Sequence, residues 1–261
     1  MIDSKRENRS KENTAIIDSI EDPPLLLIGT GRGRHIRWIT ASLIASIVGI
    51  AADLILGYVT PGSIGAGGII QVGWADVALW RPAASMLMVS VAFPVYLLGF
   101  RVLFEKLREA LPKTAQTFWV LALASSCGGV IVHAFFCYPQ YVYAYLSQRG
   151  DSQTAFEVSE GLLWMLVPSL LIFMPLMAAA LLVLIGAFGS GKTGYPRVTA
   201  AIGPLSVAAV LSLMRVAFPE SALVLGLTTS SVHIGLLLVF GIMLVWELRA
   251  APRFTFQKIS V

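Results

Sequence analysis

Long apolar stretches of this 261-residue chain contain Asp53, Arg101, His133, Arg215 and His233; Arg101 lies near a helix end, and the other four stand out. His133 with Asp53 suits general acid–base catalysis, the imidazole as base and the carboxylate orienting it. Asp53 and Arg215 suit an ion pair, and Arg215, His233 and Tyr138 suit contact with a bound molecule. At bilayer depth such a group costs ~2.5–3.5 kcal/mol on insertion scales, so each calls for a partner or a function. Counted at 3.6 residues per turn, Asp53 and His133 lie about two turns below the outer ends of their helices, and Arg215 about one. His233 lies about three turns down, near the midplane. Asp76, Arg81, Tyr138, Glu157 and Glu160 lie above them. Polar groups confined to the outer half and centre of the bilayer predict a polar cavity that opens outward. The structural alternative is a buried ion pair and two hydrogen-bonded histidines joining helices, at ~0.6 kcal/mol per interhelical bond.

Residue inventory tests the sharper chemistries. A retinal protein needs a Lys within a helix, and no apolar stretch contains one. A bis-histidine haem needs two intramembrane histidines at one depth; His133 and His233 differ by about a turn and a half. A membrane zinc hydrolase wants about three His plus carboxylates, but His35 lies before the first apolar stretch, which leaves two His and Asp53. No metal site is assigned, and the cofactor, if any, stays unknown. Cys127 and Cys137 are ten residues apart on one helix, ~15 Å by helical rise, too far to bridge each other. Gly186-Ala-Phe-Gly-Ser-Gly-Lys-Thr193 matches the phosphate-loop pattern letter for letter. That chemistry needs a strand before the loop and a helix after it, whereas Leu171–Ile185 reads as a membrane helix, so no nucleotide is expected. Gly29-Thr-Gly31-Arg-Gly33 has no preceding strand either and reads as a basic linker.

The elements that would position these residues follow from composition. Hydrophobic residues make up 56% and charged residues 13% of the chain, and mean hydropathy is +0.77. A soluble domain carries about twice that charge, so an ordinary soluble enzyme and a nucleic-acid-binding module are excluded. Six stretches suffice to cross a bilayer, which takes ~20 helical residues: Trp38–Val59, Pro82–Phe104, Thr117–Pro139, Leu162–Phe188, Val198–Phe218 and Ala222–Trp246. The predicted fold is all-α, a polytopic bundle of six transmembrane helices over residues 38–248. A polar basic tail, residues 1–37, is expected to be disordered, and 249–261 is a short basic tail.

Lys and Arg set the orientation. Sixteen of the nineteen lie on the side that also holds both tails; Arg81 and Arg149 lie opposite, and Arg215 lies within a span. Both termini are therefore expected in the cytoplasm, with the chain in a cell inner membrane. The basic balance then reflects topology and attraction to anionic lipid. Trp38, Trp119 and Trp246 would form the inner aromatic belt, and Trp74, Trp80 and Trp164 the outer one. The Gly-rich connection Thr60–Arg81 reads as a loop dipping into the outer interface, with a re-entrant course as one option. Gln140–Gly161 reads as a second outer connection able to carry a short surface helix.

Ala52-Asp53, Phe93-Pro-Val-Tyr96-Leu-Leu-Gly-Phe100, His133, Tyr195-Pro-Arg197 and Ser231-Val-His233-Ile-Gly235 resemble an uncharacterised family of bacterial six-helix membrane proteins. The likeness runs from about Ile36 to Leu248. His233 stands where that family tends to have Asn, and Gly203 precedes Pro204 where Asn is usual, which weighs against a family-wide metal or haem role at the last helix. The resemblance implies architecture and brings no activity.

The function expected from the residues is a multi-pass membrane protein whose outward cavity binds a small amphipathic or lipid-like ligand, with catalysis as an option. The competing readings are a small-solute or proton transporter, with Asp53 and the histidines as a relay, and a structural subunit of a homo- or hetero-oligomer. In the last, Ser125-Ser126 and Gly128-Gly129 would permit close helix approach. Membrane lipid is an expected partner; nucleic acid is not.

Overall fold

A computed structural model describes residues 31–64 and 69–249. Two compact units divide at Arg34. Of the first, residues 31–34 are described, as the opening turn of a helix; the site and core lie in the second. Of the tail 1–37 expected to be disordered, residues 1–30 lie outside the described residues, as do residues 250–261 of the short basic tail.

Seven α-helices occur among the described residues: α1 Gly31–Gly57, α2 Trp80–Ala110, α3 Pro112–Ser147, α4 Ser152–Gly189, α5 Pro204–Ala217, α6 Ala222–Thr229 and α7 Ser231–Arg249. The all-α expectation stands in this form: α1, α2, α3, α4 and α7 are each long and apolar enough to cross a membrane, and α5 is shorter. A two-stranded antiparallel hairpin, β1 Ser63–Ile64 and β2 Ile70–Gln71, precedes a 3-10 turn at Val72–Asp76.

Several boundaries differ from those expected. Helix α1 begins at Gly31 rather than Trp38. His35 Nε2 lies 2.8 Å from Glu105 of α2, and Arg101 Nε donates to the same carboxylate at 3.2 Å, so this polar start has partners to hold it. Helices α3 and α4 consume most of the second outer connection. Helix α3 runs through Pro139 to Ser147. Helix α4 starts at Ser152, where the Asp151 carboxylate accepts the Thr154 N–H at 3.2 Å, a side-chain N-cap. The loop is short because Tyr143, Ala144, Ala155 and Leu163 bury apolar surface against Val59, Ile70 and Trp74. Trp74 is therefore a core residue, 2% exposed, and does not join an interfacial belt. Its ring meets Phe136 edge-on.

The fifth and sixth expected spans are interrupted. A 3-10 turn at Arg197–Ala200 leads to α5, which has Pro204 in its first turn, where the missing N–H costs nothing. The stretch Ala222–Trp246 breaks at Ser230, at φ −81° and ψ 2°. Thr228, Thr229 and Ser230 hydroxyls donate to backbone carbonyls three or four residues back, and such back-bonding bends helices.

Packing explains the glycine pair on α3. The Phe173 ring of α4 lies over Gly128 and the Phe93 ring of α2 over Gly129, where a Cβ on either would overlap it. The close approach expected to serve a partner protein is thus used within the chain. The main core joins α1, α2, α3, α4 and α7 around Ile39, Tyr96, Phe118, Phe188 and Phe240.

Candidate functional site

Helix periodicity puts Gly49 and Asp53 on one face of α1. Gly49 leaves room where two polar side chains meet: a Cβ there would lie 2.6 Å from the Tyr96 hydroxyl and 2.7 Å from His233 Nδ1. Above that gap, Asp53 is 7% exposed and faces two imidazoles. His133 Nδ1 lies 3.6 Å from Asp53 Oδ1, and His233 Nε2 lies 3.4 Å from Asp53 Oδ2. The outer ring nitrogens have partners too: His133 Nε2 is 2.9 Å from Ser85 Oγ, and His233 Nδ1 is 2.8 Å from the Tyr96 hydroxyl. Tyr96 also donates to the Ala45 carbonyl at 3.1 Å. Ser85 and Tyr96 are three turns apart on α2, ~16 Å, and they mark the ends of a row Ser85–His133–Asp53–His233–Tyr96.

The middle of the row, His133, Asp53 and His233, forms part of the wall of a cavity of about 330 Å³, within the range of small-molecule sites. Phe93, Phe136, Phe173 and Trp74 supply aromatic surface, and Gln71 and Gln140 stand toward the hairpin. Gln71 is held by its own hairpin: Oε1 accepts the Gly62 N–H, and Nε2 donates to Ser63 and to the Ile69 carbonyl. Arg81, expected above the site, donates to the carbonyls of Ile55 at 2.6 Å and Tyr58 at 2.8 Å. It thereby supplies a cation at the C-terminus of α1.

The structure brings together Asp53, His133 and His233 and leaves out the other two candidates. Arg215 donates to the Pro219 carbonyl at the end of α5, so the expected Asp53–Arg215 pair does not form. Tyr138 is 51% exposed beside Phe135 and does not line the cavity. Both histidines reach one carboxylate, but their other partners, Ser85 and Tyr96, stand three turns apart on α2, so the two rings lie at different levels along the bundle. Asp53, not open space, lies between the two rings. Among the described residues, no three His, Cys, Asp or Glu side chains are placed to hold a metal ion. Ser85, Tyr96 and Gln140 were missed because a count of charges passes over neutral polar groups.

A second buried carboxylate lies at the other end of the bundle. Glu247 is 5% exposed; Tyr195 donates to its Oε1 at 2.8 Å, and Lys106 Nζ is 3.3 Å from the same oxygen. Burial and the adjacent carboxylate push the Tyr195 hydroxyl well above its ordinary range. Glu247 follows Trp246, the expected end of the last span, and so escaped the count of intramembrane charges. The nearby phosphate-loop look-alike runs from the last turn of α4 into a turn with Gly191 and Gly194 at φ 70° and 75°. A helix precedes it, where phosphate cradling needs a strand.

The model of a family of unknown function, DUF6796, matches residues 34–249. This chain is a DUF6796 protein. The matched segment holds all of the row, the cavity lining and Glu247, so these features belong to the DUF6796 region and not to an appended tail. No functionally described protein and no solved structure matches the chain.

Proposed function

We propose that this DUF6796 protein is a multi-pass membrane protein that takes a small amphipathic molecule into the cavity and handles protons at the bound molecule. Counting α5 with its preceding turn as one crossing and α6 with α7 as another gives six. The Lys and Arg asymmetry then favours cytoplasmic termini, an inner membrane and a cavity nearer the outer face.

The observation that carries this reading is the position of the Asp53 row in a cavity wall. A purely structural row would be buried among packed side chains. The row also has two proton arrangements. With the Tyr96 hydroxyl donating to the Ala45 carbonyl, its oxygen accepts from His233 Nδ1–H, and Nε2 accepts from a protonated Asp53. With the Tyr96 hydroxyl donating to Nδ1, Nε2–H donates to an ionised Asp53. Tyr96 and His233 hold one proton each in both states, so the two differ in the imidazole tautomer and by one proton at Asp53, which passes to or from the bound molecule. His133, on the other carboxylate oxygen, is the base that Asp53 orients.

Cysteine labelling tests the cavity. In a Cys127→Ser, Cys137→Ser background reconstituted in liposomes, Val132→Cys should react with methyl methanethiosulfonate. Ala92→Cys, in the packed core, should stay inert. An inert Val132→Cys would overturn the reading.

A further inference from the structure

Gln140 is the cavity-lining group whose needs the protein leaves unmet. It is 2% exposed, and its Oε1 is buried without a hydrogen-bond partner among the described residues. An unmatched buried polar atom costs ~1–3 kcal/mol, so a native site that keeps one is built for something that supplies the match. Ser125 Oγ is also unpartnered, but a helical serine can turn to a carbonyl of its own preceding turn. Gln140 has no such local route.

Shape narrows the occupant. Helix α3 presents Ser125, Gly128, Gly129, Val132, His133, Phe136 and Gln140 to the cavity. These span sixteen positions, ~22 Å by helical rise. A cavity lined over that length is elongated, which suits an extended chain over a compact molecule. A smaller cavity of about 40 Å³ shares Phe93, Ser125, Met177 and Val232 and runs on toward Phe118 and Leu184, so the tail end is extended by apolar space. On the rim, Ile69 and Met174 are exposed apolar side chains, which suits entry from hydrocarbon.

Charge narrows it further. Among the described residues, no Lys or Arg lines the cavity, so a carboxylate or phosphate head would be buried without a counter-charge and beside Asp53, which is costly. An ammonium head would need Asp53, both of whose oxygens already face histidines. A hydroxyl carries no charge. It donates to an amide oxygen or accepts from an amide nitrogen, so it matches Gln140 in either orientation of the amide.

We infer that the cavity takes an uncharged single-chain lipid alcohol, its hydroxyl on Gln140 and its chain along the Phe93–Phe136–Phe173 wall past the Asp53 row. This rests on the cavity being a ligand site, as proposed above.

The test uses the Val132→Cys protein in liposomes and measures protection from methyl methanethiosulfonate by 1-dodecanol, dodecanoate and dodecylammonium. 1-Dodecanol should protect at a concentration at least tenfold lower than either charged probe. Gln140→Leu should raise its half-protecting concentration about 3- to 10-fold, the worth of one hydrogen bond. The labelling rate without probe and the gel-filtration profile should stay unchanged. Equal or better protection by a charged probe overturns the assignment while leaving the cavity as a ligand site, and so does a Gln140→Leu variant with unaltered protection. Labelling that no probe slows overturns both.

Discussion

Asp53 and Glu247 are both buried carboxylates near opposite ends of the same bundle, and they are treated differently. Glu247 has an ammonium group at 3.3 Å and a phenol at 2.8 Å. Among the described residues, Asp53 has two imidazoles, at 3.4 and 3.6 Å, and it lies on a cavity. A permanent cation fixes a carboxylate in one state, so Glu247 ties the Tyr195 loop and α2 to α7. An imidazole can carry its proton on either ring nitrogen, so Asp53 has neighbours that can rearrange without a fixed charge. The pairing of a buried acid, more than its burial, separates a strut from a working group.

The largest effect should come from breaking the strut. Glu247→Ala leaves Lys106 and Tyr195 without their carboxylate and should cost about 3 kcal/mol, the low end for a broken buried pair because Lys106 is a third exposed. A lowered thermal melting temperature in detergent checks it. Next, Gly49→Ala puts a methyl group between Tyr96 and His233 and should cost about 2 kcal/mol by overpacking, read in the same melt. Tyr195→Phe should cost about 1.5 kcal/mol, one hydrogen bond to a charged group. It should also change the alkaline limb. The unfolded hydroxyl ionises near pH 10 and the folded one higher, so between those values the unfolded state holds fewer protons and stability falls as pH rises. Tyr195→Phe should lose that share of the fall above about pH 10. The smallest effect on stability should be that of Asp53→Asn, under about 1 kcal/mol, because the amide keeps an acceptor, adds a donor and strands no cation. If Asp53→Asn destabilised as much as Glu247→Ala, the contrast between the two acids would collapse.

Much of this was legible from residue types. Runs of apolar residues announce membrane-length helices, and the cost of intramembrane charge singles out Asp53, His133 and His233. Other features depend on three-dimensional partners. Arg215 finds a carbonyl four residues away, which no rule of charge pairing anticipates. Ser230 interrupts an apolar run through its hydroxyl and those of its neighbours, a competition hydropathy does not register. Trp74 looked interfacial because tryptophan often is, but a hairpin and two helix extensions cover it. The row itself stayed hidden because Ser85 and Tyr96, which hold its two ends, are neutral and no count of charges finds them.

The most direct measurement is photolabelling in native membranes with an uncharged alkyl probe carrying a mid-chain diazirine, mapped by peptide mass spectrometry. Label on Phe93, Val132, Phe136, Phe173 or Met177 is the predicted result, since these side chains line the cavity. Label confined to outward-facing Leu171, Leu213 and Val216 would contradict it, leaving the Asp53 row as a second strut.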